Sequence, residues 1–336
     1  IEAMGPAQTY VHNIEQRLGE RVFGLQEVIS LLAMTRIASG HALLQGPPGI
    51  GKTLLARSFA EAVGGAFRRI QGTPDLLPSD MTGVTIFRPD GSEFEFRPGP
   101  LFADVVLVDE INRAGPKTQA ALLETMEERR ITLDGETRAL PQDFLVIATQ
   151  NPLDFEGTYP LPESQIDRFL IRLDISYASA DAEAEVLARY AEPQGAHQEA
   201  LAPLAEEPAE LSAARAEVVA TRVERALINY VIALCEASRR SEQIALGLST
   251  RAARALLLMA RVHAATNGFD FVRPDDVQAV APAVAGHRLV LTPEATLSGL
   301  TGVEVLHNVI TAVPVPRIEG AVPDAPASID PTDPPQ

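Results

Sequence analysis

A short glycine-rich stretch places a lysine and a threonine where phosphate chemistry could occur. Its residues fit the pattern G-x-x-x-x-G-K-[ST] at each fixed position: Gly46, Pro47, Pro48, Gly49, Ile50, Gly51, Lys52 and Thr53. Glycines let backbone N–H groups turn toward phosphate oxygens, Lys52 would reach the β- and γ-phosphates, and the Thr53 hydroxyl would bind Mg²⁺. The stretch therefore predicts a nucleoside triphosphate site. The alternative is a plain Gly/Pro turn that ends in Lys-Thr.

The segments on either side of this loop favour the phosphate-binding interpretation. The apolar run 42–44 predicts a short buried strand before the loop, and residues 54–60 have a helical pattern after it. A helix that begins at the loop points the positive end of its dipole at a bound anion. We accordingly predict that ATP or ADP binds here, and that Leu54 adds to the contacts of the loop.

A second candidate for chemistry is a pair of carboxylates, Asp109 and Glu110, at the end of the apolar run 105–108. Because the run shows no alternation, it predicts a strand buried on both faces of a parallel sheet, with the acids at its carboxyl edge. Beside a phosphate loop, Asp109 can hold Mg²⁺ and Glu110 can orient and polarise a water for hydrolysis. A strand that ends in a solvated acidic turn is the alternative for this run on its own.

A third apolar run, residues 144–149, leads into Gln150, Asn151 and Pro152. It predicts another buried strand, which Pro152 stops. The Asn151 amide could donate a hydrogen bond to the γ-phosphate or to the attacking water. An Asn before a Pro is also simply a good turn start, and without the other motifs that reading would be preferred.

The composition restricts the class of protein. The chain has 336 residues, 45 acidic against 28 basic residues and a net charge of −17, which disfavours nucleic acid as a partner. One cysteine, Cys235, excludes an intramolecular disulfide and is typical of a reducing compartment. The sequence shows neither an apolar stretch of membrane-spanning length nor a leader, so we expect a cytoplasmic protein without a membrane span. The histidines lack metal-ligand spacing, and Mg²⁺ is the metal implied.

Beyond these motifs the pattern changes along the chain. Residues 83–97 and 129–140 alternate around Asp-Gly turns and predict two β-hairpins, the first with candidate exposed phenylalanines at 87, 94 and 96. Residues 181–191, 211–240, 249–266 and 274–286 have helical spacing, with a loop predicted between 192 and 210. The Pro-rich and acidic residues 313–336 predict a disordered or loosely docked tail. We predict domains at 21–176 and 177–312 after a helical extension, 1–20.

The order and spacing of these motifs resemble the core of an AAA+ ATPase, and longer strings resemble the MoxR-type AAA+ ATPases of the helix-2-insert clade. The strings are Arg69–Asp80, Arg97–Ala103, Asp109–Ala114 and Phe155–Glu163. The similarity runs from about Val22 to about Thr292. It implies an α/β fold: a P-loop core with a parallel sheet between helices, β-hairpin inserts, and a small all-helical lid.

The resemblance also implies roles for residues outside the phosphate loop. Asn151 matches the sensor 1 position, and Arg168 matches the arginine finger that acts on the nucleotide of a neighbouring subunit. Arg251 matches the sensor 2 arginine, whose action within or between subunits stays open. Val22, Phe23 and Gly24 match the wall on the adenine side of the nucleotide.

Members of this family form rings, usually hexamers. They act as chaperone-like motors that remodel or mature protein complexes or insert cofactors into them, often with a partner that carries a von Willebrand factor A domain. The resemblance implies the same of this chain. Two alternatives stay open: the ATPase subunit of a metal-chelatase-type machine, and a nucleotide-gated scaffold that binds ATP without turnover.

Overall fold

The computed structural model describes residues 4–89, 93–152, 157–177, 179–191, 201, 204 and 207–316. Its strands within this part are β1 Ala42–Gln45, β2 Phe67–Gln71, β3 Gly83–Arg88, β4 Glu93–Pro98, β5 Val105–Asp109, β6 Arg130–Leu133, β7 Glu136–Ala139, β8 Leu145–Gln150, β9 Ile171–Asp174, β10 Ile244–Leu246 and β11 Val290–Leu291. Its helices are α1 Pro6–Gly19, α2 Gln26–Ile37, α3 Lys52–Ala62, α4 Pro78–Thr82, α5 Pro116–Glu128, α6 Glu163–Ile166, α7 Ala180–Ala191, α8 Glu207–Ala220, α9 Arg225–Arg240, α10 Thr250–Thr266, α11 Pro274–Ala285, α12 Pro293–Leu297 and α13 Gly302–Ala312.

A parallel sheet in the order β2-β5-β8-β1-β9 forms the centre of the first half of the chain. Alternate side chains of β5 and β8 reach two separate cores: Val105 and Leu107 pack on one face of the sheet, Val106 and Val108 on the other. This alternation explains why three central strands read as unbroken apolar runs. The predicted α/β core with helices on both faces is confirmed.

The outer strand β2 could not be predicted from an apolar run in the sequence, as the central strands were. Its sequence, Phe-Arg-Arg-Ile-Gln, buries only Ile70, because β2 lies at the edge of the sheet. An edge strand needs less apolar surface than a central one, so its run is short and polar. The functional consequence is that polar side chains of β2 lie beside the acidic end of β5.

The structure contains both predicted hairpins, β3–β4 and β6–β7. In the second, Asp134 and Gly135 have φ values of 52° and 80°, the positive pair that a type I′ turn requires. Residues 90–92, in the predicted turn of the first hairpin, lie outside the described residues. Phe87 and Phe94 are exposed and meet edge to face with centroids 5.3 Å apart.

Phe96 is not exposed as predicted. It is half-buried, because its ring packs against Phe102 with centroids 5.5 Å apart and lies 4.1 Å below the Arg138 guanidinium of the second hairpin. The two hairpins therefore contact each other through a cation–π pair. Any substrate-gripping surface on the first hairpin is restricted to the two remaining rings.

The second half of the chain is helical, with two departures from the expected pattern. The predicted helix 211–240 is two helices, α8 and α9, separated where the Arg222 N–H donates to the Asp270 carbonyl oxygen at 2.8 Å. A small antiparallel pair, β10–β11, is added to the helices. Of the predicted loop 192–210, residues 207–210 belong to α8, and most of the rest lies outside the described residues. Residues 317–336 of the predicted tail lie outside them as well.

Helix α8 packs against α1 and α2 around a buried charge pair. The Arg36 Nε donates to the Glu207 carboxylate at 2.8 Å, and the Tyr10 hydroxyl donates to the same oxygen at 2.8 Å. Both charged side chains are at most 3% exposed. Burial raises the pKa of Tyr10 well above its usual value, so the phenol keeps the proton that it donates. A group of this kind holds three helices in one register.

We expect Glu207→Ala to lower the free energy of unfolding by about 3–5 kcal/mol, because it leaves the buried Arg36 guanidinium uncompensated. Urea unfolding followed by circular dichroism measures the change. Glu210→Ala, which removes only a half-buried bond from the Asn13 amide at 3.2 Å, is the matched control and should cost about 1 kcal/mol or less. The triple variant Tyr10→Phe/Arg36→Met/Glu207→Leu, which also removes the buried hydroxyl that donates to Glu207, should recover most of the loss. A triple variant as unstable as Glu207→Ala would contradict this explanation.

Candidate functional site

The predicted phosphate loop connects the carboxyl end of β1 to the first residue of α3. Gly49 and Gly51 have φ values of 82° and 85°, a left-handed conformation that side chains disfavour. A Cβ on Gly46 would lie 2.3 Å from the Ile175 carbonyl oxygen, so this position has no space for a side chain. The glycines therefore stand where the backbone itself requires them.

Lys52 folds over this loop. Its Nζ donates to the carbonyl oxygens of Gly46 at 2.5 Å and Pro47 at 3.1 Å. Helix α3 has Gly51 as its N-cap, without a side-chain cap, so the N–H groups of its first turn face the loop. An ammonium group and uncapped peptide N–H groups thus lie at the same loop, and they are the donors that bind phosphate oxygens.

The Asp109 carboxylate lies next to the loop at the end of β5. One oxygen accepts from the Thr149 hydroxyl at 2.6 Å; the other lies 3.2 Å from the Thr53 hydroxyl and 2.7 Å from the Arg69 guanidinium. A hydroxyl and a carboxylate side by side are the oxygen donors that Mg²⁺ binds, with nucleotide and water oxygens completing the set. Arg69 supplies the positive charge beside Asp109 in this structure. The chemistry of the pair fits the predicted metal.

Glu110 begins the turn after β5. Its backbone has a φ of 55°, and its N–H donates to the Thr149 hydroxyl at 2.9 Å. The carboxylate accepts from the Gln71 amide at 3.0 Å and lies 3.4 Å from the Arg113 guanidinium. It is a third exposed, so water can reach it. The two neighbouring carboxylates thus have separate partners: Gln71 and Arg113 for Glu110, and Thr149, Thr53 and Arg69 for Asp109.

Gln71, Arg69 and Thr149 were not recognised from the sequence. Gln71 pairs with Asp109 across the sheet in the β2–β5 register, and Thr149 lies one strand farther, on β8. For Gln71 and Thr149 the available signal was position alone, because they are polar residues in the last two positions of their strands. Arg69 lies in the middle of β2 and gave no such signal. Asn151 follows β8 directly and is buried, and its carbonyl oxygen lies 3.5 Å from the Asn112 amide.

A cavity of about 490 Å³ opens beside the phosphate loop. Gly49, Gly51 and Leu54 form one side of it, and Val22 and Phe23 form another. Its volume and mostly apolar lining match those of small-ligand sites. Gly24, with a φ of 73°, turns the chain after this wall. The structure thus brings the predicted adenine wall next to the predicted phosphate loop.

Arg168 and Arg251 lie together, but in a different cavity. Arg168 Nε is 3.4 Å and Arg251 Nη2 is 3.0 Å from the two oxygens of Glu127. The cavity, about 840 Å³, is also lined by residues 38–41, which directly precede β1. The phosphate loop follows β1. The two arginines therefore lie at the amino edge of the sheet, and the loop lies at the carboxyl edge.

Each of the two arginines has an acidic partner in this cavity. Arg168 pairs with Glu127, and the neighbouring Asp167 binds the buried Arg288 guanidinium at 2.6 Å. Arg251 lies in the first turn of α10, where its positive charge opposes the helix dipole, and it pairs with Glu127 and Asp167.

Positive charge dominates the lining of this cavity. Its described residues include two acids, Glu127 and Asp167, against six arginines: Arg129, Arg168, Arg251, Arg254, Arg261 and Arg288. His41 also lines it, but burial, with a smaller contribution from Arg129, lowers its pKa to about 3 and keeps it neutral. In a chain of net charge −17, this cluster makes the cavity locally positive.

No group of three or more His, Cys, Asp or Glu that could hold a metal occurs among the described residues. A metal at Asp109 would consequently take most of its ligands from the nucleotide and water. No helix in the described part of the chain is long and apolar enough to cross a membrane.

The chain is similar to known proteins over almost its whole length. Residues 41–171 match the ATPase family associated with various cellular activities (AAA), and residues 236–309 match the AAA lid domain. An uncharacterized protein of Bacillus subtilis, YeaC, is 41% identical over 91% of this chain and 95% of the relative. Chaperone MoxR1 of Mycobacterium tuberculosis is 38% identical over 96% of this chain and 87% of the relative.

Protein MoxR of Methylorubrum extorquens is 31% identical over 90% of this chain and 94% of the relative. The crystal structure of a candidate ATPase from Cytophaga hutchinsonii superimposes with a TM-score of 0.82 at 34% identity, over 93% of this chain and 97% of that one. These matches extend over both the sheet with its phosphate loop and the helical lid. The chain therefore belongs to the MoxR-type AAA+ ATPases.

Proposed function

We propose that this ATPase works as a ring in which each nucleotide lies between two subunits, and that hydrolysis drives the remodelling of a protein complex. The observation that carries the proposal is the placement of Arg168 and Arg251 at the opposite sheet edge from the phosphate loop. β1 has four residues, and at a rise of about 3.3 Å per residue it alone separates the two edges by about 10 Å.

Within one subunit, the residues at the carboxyl edge would bind the nucleotide and prepare the water. Lys52 would exchange its two carbonyl partners for β- and γ-phosphate oxygens, while Thr53 and Asp109 would hold Mg²⁺, which neutralises phosphate charge when bound. Glu110, held by the Gln71 amide, would orient and polarise the attacking water. The buried Asn151 would hold the γ-phosphate or that water from the other side.

Across the subunit boundary, Arg168 and Arg251 would act on the nucleotide of the neighbour. Both guanidinium groups are one-third to one-half exposed, so a neighbouring subunit can reach them. Charge that develops on the γ-phosphate during transfer is stabilised by such arginines, with an effect of about 10³–10⁵ in rate. We infer that both arginines act in trans, because they share one cavity and one carboxylate partner.

The cellular role rests on the similar proteins. One relative is named as a chaperone, and MoxR-type ATPases in general suggest a hexameric ring, a cytoplasmic location and a partner with a von Willebrand factor A domain. The exposed pair Phe87 and Phe94 on the first hairpin gives a protein client an apolar contact. The acid-rich composition makes nucleic acid a poor client.

Two other functions make different predictions. A scaffold without turnover would bind ATP and release no phosphate, although the exposed, hydrogen-bonded Glu110 carboxylate supports turnover. A metal-chelatase-type ATPase would stimulate metal insertion by a catalytic subunit. A pull-down with the hydrolysis-deficient Glu110→Gln variant, followed by identification of the bound proteins, distinguishes that subunit from a von Willebrand partner.

Glu110→Gln should keep ATP affinity and lose turnover by at least about 100-fold, because an amide fits the site but cannot polarise water. Lys52→Ala should lose ATP binding, because it removes the charge opposite the β- and γ-phosphates. Phosphate release and binding of a fluorescent ATP analogue measure the two effects. The exposed Glu128→Gln is the control and should match the parent. A Glu110→Gln variant that hydrolyses ATP at the parent rate would show that another group positions the water.

ATP with Mg²⁺ should shift the Glu110→Gln variant from small species to a ring, because bound nucleotide adds contacts that only the assembled state offers. Light scattering coupled to size exclusion measures the mass with ATP, with ADP and without nucleotide. Lys52→Ala is the control that should not respond to ATP. A mass that stays at one subunit at micromolar concentrations would count against action between subunits.

Mixing two inactive variants should restore activity if the arginines act in trans. Rings of Lys52→Ala and Arg168→Ala subunits contain boundaries at which an intact loop faces an intact arginine, and the same holds for Lys52→Ala with Arg251→Ala. We expect up to about a quarter of the parent ATPase rate at equal mixing, from the random frequency of such boundaries. Mixed rings detected by mass spectrometry without any return of activity would show that the arginines serve their own subunit.

A further inference from the structure

Glu127, near the carboxyl end of α5, contacts both arginines proposed to act on the neighbour's nucleotide. One oxygen lies 3.0 Å from Arg251 Nη2 and the other 3.4 Å from Arg168 Nε. The two guanidinium groups come from distant parts of the chain, and this one carboxylate holds them together. A single anion between two arginines is the arrangement that a γ-phosphate would also form with them.

The second acid of the cavity, Asp167, does not have the same freedom. Its carboxylate is tied to Arg288, whose side chain is 4% exposed and also donates to the carbonyl oxygens of Phe169 and Leu170. Asp167 is 3.7 Å from Arg251 Nε, a longer distance than that from Glu127 to Arg251 Nη2. Glu127, at 46% side-chain exposure, is the carboxylate that can give up its partners.

We propose that Glu127 is a placeholder for the γ-phosphate: it pairs with Arg168 and Arg251 in the unassembled subunit and releases them when the neighbour presents ATP. The proposal rests on the proposed function, because it requires both arginines to act between subunits. Glu127 then fulfils two tasks. It keeps the two positively charged guanidinium groups of Arg168 and Arg251 side by side. It also allows the two arginines to leave only for an anion that carries more charge than a carboxylate, such as the γ-phosphate.

The exposure of the three side chains suits such an exchange. Ion pairs at 31–46% exposure are weak, and each alters an equilibrium by up to about fivefold. A γ-phosphate carries more charge than Glu127 and offers three oxygens. It therefore displaces Glu127 and binds both arginines when the neighbouring subunit brings ATP to the boundary. ADP lacks that group. The pairing therefore favours assembly on ATP over assembly on ADP.

The test compares Glu127→Gln with Glu128→Gln. Glu128 is the adjacent residue, has a similar exposure of 44%, and pairs with Arg130 at 3.0 Å rather than with the cavity. Both variants lose one negative charge from the same turn. Glu127→Gln should lower the subunit concentration for half-maximal assembly and ATPase activity by about three- to twentyfold, without a fall in kcat, and should increase assembly on ADP. Glu128→Gln should match the parent, and Glu127→Asp should lie between.

The activity of the single variant Arg168→Ala tests the trans mechanism by itself, and it therefore separates this proposal from the function on which the proposal rests. If Arg168→Ala abolishes turnover and mixing with Lys52→Ala restores it, while Glu127→Gln assembles at the same concentration as Glu128→Gln, the placeholder role is wrong and the trans mechanism stands. A fall in kcat for Glu127→Gln would equally overturn the proposal, because Glu127 would then hold the arginines in their working position. Should Arg168→Ala keep the parent rate, the trans mechanism itself fails.

Discussion

The parallel direction of the strands determines where the charged groups of this ATPase can act. Every carboxyl end of β1, β5 and β8 lies at one edge of the sheet, so the phosphate loop, Asp109 and Asn151 meet there. Residues that precede β1 and β9 lie at the other edge, and these include the segment that carries Arg168. Strand β1, with four residues, spans about 10 Å and keeps an arginine at one edge away from a phosphate at the other. In the proposed mechanism, this separation is the reason that the arginines act on the nucleotide of a second subunit.

Burial divides the ion pairs of the molecule into two kinds. Arg36 and Glu207 are excluded from water, so neither can lose its partner without a large cost, and α1, α2 and α8 stay fixed. Glu127 and its arginines are solvated, and their pairing can be exchanged for another anion at little cost. The buried pair thus fixes helices of the lid and its neighbours, while the pairs of Glu127 can be exchanged. An Arg–Glu pair thus fixes the structure where it is buried and can be exchanged where it is exposed to solvent.

The sequence was sufficient where a physical requirement is local. Fixed glycine positions predicted the loop, and strands buried on both faces had to be apolar, which revealed β1, β5 and β8. It was insufficient where the requirement comes from distant residues. β2 is an edge strand with one buried residue, Phe96 is covered by a ring and a guanidinium from other segments, and Glu127 lies 124 positions from Arg251. The residues around a single Glu near a helix end give no indication that its partner is an arginine so far along the chain. Only the fold brings these residues together.

The lid connects through α10 to the cavity that Arg168 and Arg251 line. Arg251 lies in its first turn, exposed to the cavity, while the middle of the helix is buried and packs against α11, α1 and α2. Helix α11 in turn contacts β9, the strand that follows Arg168. If Arg251 moves from Glu127 to a phosphate, α10 therefore moves as a rigid element. The helices packed against α10 must then either move with it or oppose the movement. Both arginines are coupled to the same helices. In the proposed ring, the nucleotide of one subunit would therefore bias the lid of the next, and each site would pass its state to its neighbour.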